Sequence, residues 1–191
     1  MFYLLLYIVV YESVGTYINL LCSRELQRKT IGAFNIYIVT ESIFIYLVGR
    51  NSATSLFFRR IISVTTGLFF FYCALNIYFN GFNSYPTAPL LLFAVNGLVI
   101  FLGLLILQSD SKTFFKQPIF YLSLGMVVFY GCTMPYYSVV NYFAKADNEV
   151  LKKLAQILFI SNYIRYTLTI VAYIILYRQQ KTARMSPAGS V

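Results

Sequence analysis

Three Asp, Glu, Lys or Arg residues lie well inside long apolar runs, where a charged side chain is costly. Glu12 lies in "LLLYIVVYESVGTYINLL", Glu41 in "FNIYIVTESIFIYLV" and Arg165 in "NYIRYTLTIVAYIILY". Paired carboxylates can act as general acid and base. Arginine is a permanent cation whose planar fork binds carboxylate or phosphate through two parallel hydrogen bonds. Two acids facing one guanidinium reach balance with one carboxyl ionised against Arg165. The remaining proton is then held by the other carboxyl or shared between the two.

Further polar side chains recur near these three. Glu12, Thr16 and Asn19 are spaced i, i+4, i+7 and share one helical face. Asn162, Arg165 and Thr169 form a similar stripe. Asn96 stands beside Gly97, where a missing side chain allows close helix approach. Asn35 and Thr40 flank Glu41 along the chain, although Asn35 falls off the face of Glu41. Thr65, Tyr72 and Asn76 are at helical spacing. The expected polar network is therefore Glu12, Glu41, Arg165, Asn96, Asn162, Thr16, Asn19 and Asn35.

The elements that must position these residues follow from composition. Of 191 residues, 59% are hydrophobic and 11% charged. A soluble domain has about 25% charged residues, so a bilayer is the solvent that fits. A helix needs about 20 mainly apolar residues to cross the hydrocarbon. Six stretches qualify: residues 2–22, 30–49, 61–79, 87–107, 118–143 and 154–177. The expected fold is all-α, a polytopic membrane bundle of about six helices. A polar basic tail at 178–191 is expected to be disordered. Met1 runs into apolar residues with no basic n-region and no A-x-A site, so the first span is expected to insert and stay. Pro118 suits the first turn of its helix, and Pro135 is expected to kink the same span. Glu12, Glu41 and Arg165 each fall near the middle of a span. Middle is middle whichever way a helix runs, so all three share one depth. One such charge at that depth costs about 2.5–3.5 kcal/mol on insertion scales. Turning the three inward and pairing them is cheaper than exposing them separately.

Several chemistries are excluded. There is no histidine, which removes His-based acid–base catalysis, Ser-His and Cys-His nucleophiles, and most transition-metal sites. No Asp or Lys lies inside a span, against an aspartyl membrane protease or a retinal Schiff base. No P-loop or dinucleotide fingerprint occurs, and no cofactor or metal is expected. Cys22, Cys73 and Cys132 read as buried small hydrophobes. The net charge of +9 comes from Lys and Arg between the apolar runs. There they set topology and meet headgroups rather than nucleic acid.

The segments "YESVGTYIN", "FNIYIVTESIFIYLV", "NIYFNGFNSYPT", "PIFYLSLGMVVFYGC" and "NYIRYTLTIVAYIILY" together resemble a family of small, uncharacterised bacterial multi-pass membrane proteins. Glu12, Asn35, Tyr37, Glu41, Gly81, Phe82 and Pro118 match its pattern. The resemblance implies genes beside those of sensor histidine kinases, a cytoplasmic-membrane location, and in many members one more helix before the first span. It implies no enzyme activity and no known ligand. Three functions are open: a sensory or accessory module with a midplane polar site, a small proton-coupled transporter, and an intramembrane enzyme acting on lipids through Glu12 and Glu41. Expected partners are the lipid bilayer and either a membrane-associated histidine kinase or further copies of the chain.

Orientation follows from basic residues in short loops. One side has eight: Arg50, Arg59, Arg60, Lys112, Lys116, Arg178, Lys181 and Arg184. The other has six: Arg24, Arg28, Lys29, Lys145, Lys152 and Lys153. Both termini are expected on the cytoplasmic side. A reporter fused to the C-terminus should be active only in the cytoplasm; activity outside the membrane would reverse this orientation.

Overall fold

The computed structural model describes residues 31–82, 87–108, 113–143 and 148–185. Among them the chain is helical throughout its regular elements. The helices are α1 (Ile31–Ser52), α2 (Leu56–Asn80), α3 (Thr87–Gln108), α4 (Pro118–Phe143) and α5 (Asn148–Met185), with a 3-10 turn at Phe114–Lys116 before α4. Among the described residues four stretches are long and apolar enough to cross a membrane: Leu56–Asn80, Ala88–Gln108, Pro118–Ser138 and Gln156–Thr182. The chain is thus an all-α bundle of membrane-spanning character. α1 coincides with the expected second span. The expected first span, with Glu12, Thr16 and Asn19, lies outside the described residues.

The helices run further than the hydropathy of the sequence implies. α2 begins at Leu56 rather than near residue 61, and α5 at Asn148 rather than near 154. α5 also continues to Met185, so residues 178–185 are helical where a disordered tail is expected. The reason is local. "RQQKTARM" is built mostly of good helix formers, with no Gly or Pro before Pro187. Polarity removes this stretch from the hydrocarbon without unwinding it. At 1.5 Å per residue its 38 residues span about 57 Å, well beyond a hydrocarbon core of about 30 Å.

Packing follows the order α5, α4, α3, then α1 and α2 together. α4 lies along α5 and along α3, while α3 also touches α1 and α2, which touch each other. α3 is central: 44% of its apolar window is buried, against 22% for α2 and for α5. Short links enforce antiparallel neighbours. Only residues 53–55 separate α1 from α2, and Arg59 Nε donates to the Ala53 carbonyl at 2.8 Å. Gln108 Nε2 donates to the Ser52 carbonyl at 2.7 Å and pins the end of α3 to that turn. Phe114, 1% exposed, plugs the bundle at the 3-10 turn and meets Phe120 edge-on at 5.3 Å. Pro118 opens α4, where its missing N–H is not needed. Pro135 does not end α4. It leaves the Gly131 carbonyl without its helical donor at an exposed point of the helix.

Inside the bundle a large aromatic fills the space a glycine leaves. Tyr130 is fully buried. It stacks on Phe101 with centroids 6.4 Å apart and meets Phe93 edge-on at 5.4 Å. Its ring lies against Gly97, where a Cβ would fall within 2.6 Å of Tyr130 Cδ2. At Gly67 and Gly131, by contrast, a Cβ would meet nothing within 4 Å. Gly97→Ala should therefore cost about 1–3 kcal/mol through overpacking, while Gly67→Ala should cost nothing measurable. Unfolding midpoints of the two variants in detergent or bilayer would check this. Equal midpoints would contradict the packing of α3 on α4.

Candidate functional site

Glu41 is the eleventh residue of the 22 in α1. The helix around it satisfies its own small polar groups: Ser42 Oγ donates to the Ile38 carbonyl at 2.7 Å and Thr40 Oγ1 to that of Ile36 at 2.9 Å. Such i−4 bonds leave no loose hydroxyl to compete for the carboxylate. On α5, Thr169 Oγ1 likewise donates to the Arg165 carbonyl at 2.7 Å. Arg165 and Glu41 are then free to meet across the bundle. Arg165 Nη1 donates to Glu41 Oε1 at 3.0 Å, with the two side chains 1% and 2% exposed.

Aromatic rings complete the surroundings of the guanidinium. Its carbon lies 4.0 Å from the centroid of the Phe129 ring and 5.1 Å from that of Tyr166. Nη2 also donates to the Tyr166 hydroxyl at 3.4 Å. A cation over an aromatic face gains about 2 kcal/mol or more when desolvated. Gly125 makes the approach possible. A Cβ there would lie 3.3 Å from both Cα and O of Arg165 and 3.2 Å from Leu168 Cβ, tighter than an ordinary contact. α4 therefore seats against α5 at the level of the arginine.

The remaining expected site residues divide by place. Asn96, 6% exposed, donates from Nδ2 to Thr66 Oγ1 at 3.3 Å and joins α3 to α2. Its Oδ1 has no hydrogen-bond partner among the described residues. Asn162 is half-buried one turn before Arg165, and its Oδ1 also lacks a partner among the described residues. Asn35 is buried but serves a different end of the bundle: its Nδ2 donates to the Phe82 carbonyl at 2.6 Å, just past α2. Glu12, Thr16 and Asn19 lie outside the described residues. The structure thus brings Glu41 and Arg165 together and places Asn96 and Asn35 in separate polar contacts.

Four residues at these contacts were not singled out from the sequence. Phe129 and Tyr166 face the guanidinium, Gly125 lets α4 approach the Arg165 backbone, and Thr66 rather than Thr65 meets Asn96. In "VTTG" either threonine fits a helical stripe, and only the phase of α2 on α3 chooses between them. Thr65 bonds its own helix instead, at Ile62.

Chemically, the arrangement is a desolvated ion pair backed by an aromatic face. Breaking a buried pair by removing one partner costs about 3–5 kcal/mol, whereas replacing both with apolar residues of similar volume is often neutral. Glu41→Ala and Arg165→Ala should each lower stability by that amount, and Glu41→Leu combined with Arg165→Met should cost far less than either. Chemical unfolding of the three variants measures this. Additive losses would show that the two side chains do not act as a pair.

No protein-family model, curated protein or solved structure matches the chain.

Proposed function

We propose that this protein is a sensory or accessory module embedded in the cytoplasmic membrane, with six spans and both termini on the cytoplasmic side. Its midplane site comprises Glu41 and Arg165, with Glu12 and Asn162 as further contributors. The observation behind this reading is the Glu41–Arg165 contact itself. It connects α1 and α5, two helices that do not pack extensively against each other. Side-chain reach bridges them, so the link can be made or broken without tearing apart a packed helix interface. Such a link suits a two-state element.

The output is α5. It passes through the site at Arg165 and continues to Met185, beyond the hydrocarbon. Gln179 Nε2 donates to the Lys116 carbonyl at 3.4 Å, beside the 3-10 turn. A small or lipidic ligand that competes for the guanidinium, or a change in the bilayer itself, would release α5 from α1 and shift this outer segment. The receiver is a membrane-associated histidine kinase, as the sequence resemblance implies. Intramembrane charge is a functional hypothesis by default, and the pairing supplies a reason for it here.

The test is a photo-crosslinking residue at Thr182, exposed near the end of α5, in cells expressing the full chain. The expected result is a crosslink to a histidine kinase whose yield changes several-fold in Glu41→Gln. Proton uptake by vesicles containing the purified protein, abolished by Glu41→Gln, with no kinase crosslink, would replace this reading with a proton-coupled carrier.

A further inference from the structure

The end of the bundle where α1 turns into α2 is cationic and rigidly built. Arg50, Arg59 and Arg60 are all exposed there, within a few residues of the turn at 53–55. Two of the three are held by other groups. Arg50 Nη1 donates to the Tyr46 hydroxyl at 2.7 Å, with its guanidinium carbon 5.8 Å from the Tyr46 ring centroid. Arg59 Nε donates to the Ala53 carbonyl at 2.8 Å. Each of these contacts uses one nitrogen of its guanidinium, and both arginines remain exposed. The turn that presents them is itself fixed by Gln108. Lys116, Arg178 and Lys181 stand exposed on the same end, which the Gln179–Lys116 bond ties together. Among the described residues no carboxylate lies at this end. In the sequence, Asp110 is the one acid of these connecting segments, set against eight cations.

We infer that Arg50, Arg59 and Arg60 form a site for the phosphate of an anionic phospholipid headgroup. Arginine matches phosphate oxygens through paired N–H donors, and exposed guanidinium groups with no carboxylate beside them among the described residues attract an anionic counter-charge. Height decides the source of that phosphate. Leu56 and Phe57, 72% and 73% exposed, lie within one turn of the arginine pair at the start of α2. Phe115 and Tyr177, at 57% and 58%, lie at the same end. An exposed Tyr at the end of a span marks the headgroup level, and the exposed Leu56, Phe57 and Phe115 offer apolar surface beside it. A ligand that offers a phosphate to the arginines and an acyl chain to Leu56 and Phe57 is a phospholipid. The inference holds for the leaflet at this end whichever side of the membrane it faces, and does not depend on the ion pair within the bundle.

The experiment uses the full chain in nanodiscs of phosphatidylcholine mixed with phosphatidylglycerol, and reads the lipids retained on the released protein by native mass spectrometry. The unaltered protein should retain phosphatidylglycerol preferentially. Replacing Arg50, Arg59 and Arg60 with Gln should lower that preference about fivefold per charge, while Lys153→Gln, at the opposite end, leaves it in place. Should the triple variant fail to fold, a salt titration of the unaltered protein decides: the preference falls as salt rises if phosphate contacts hold the lipid. Equal retention of the two lipids, an equal loss in Lys153→Gln, or a preference indifferent to salt would overturn the assignment. So would inorganic phosphate raising the unfolding midpoint in pure phosphatidylcholine as much as phosphatidylglycerol does.

Discussion

Taking a charged side chain out of water is among the most costly steps in building a protein interior, and Glu41 and Arg165 are both almost wholly removed from it. Each lies near the middle of a long helix and is closed in by the bundle, so neither reaches solvent by a small movement. Each therefore needs the other, and their 3.0 Å contact fixes the rotation of α1 and α5 about their own axes. A buried ion pair is weak evidence for stability but good evidence for register. Here the register is set between two helices with little other packing between them. The Phe129 ring, 4.0 Å from the guanidinium, and Gly125, close against the Arg165 backbone, extend the constraint to α4. The polar contact thereby organises apolar packing three helices wide.

The rest of the bundle reads as accommodation to that contact. α3, the most buried helix, supplies Gly97 for Tyr130 and Asn96 for Thr66. The aromatic cluster of Phe93, Phe101 and Tyr130 fills what small residues leave open, as expected where helices associate by close packing rather than by a hydrophobic drive. α2 and α5 stand at the edges and turn wide apolar faces outward, which in a bilayer is no defect.

Much of this was legible in the sequence, and the exceptions have physical causes. Long apolar runs broken by charges marked the cores of the helices, since length and hydropathy are what a bilayer demands. Glu41 and Arg165 were legible because an unpaired charge within a long apolar run is so costly that position alone predicts pairing. The companions of the pair were not. Phe129 and Tyr166 belong to a chain rich in aromatics, 18 Phe and 18 Tyr, and nothing local distinguishes a ring that faces a cation from one that faces lipid. Thr66 could not be separated from Thr65 without the phase of α2. Asn35 turned out to serve the Phe82 carbonyl because a backbone oxygen just past the end of a helix is a strong acceptor the sequence does not display. The helical extension to Met185 was missed because polarity was read as disorder, although its residues favour helix.

The contact between α1 and α5 is the constraint on which the arrangement of the bundle depends. A dipolar-recoupling NMR measurement between the Arg165 guanidinium nitrogens and the Glu41 carboxyl carbon, made on the protein in a lipid bilayer, addresses it directly. The structure predicts strong recoupling, as for a hydrogen-bonded pair with nitrogen and oxygen 3.0 Å apart. Absence of recoupling, with both residues present and the helices intact, would contradict the central claim.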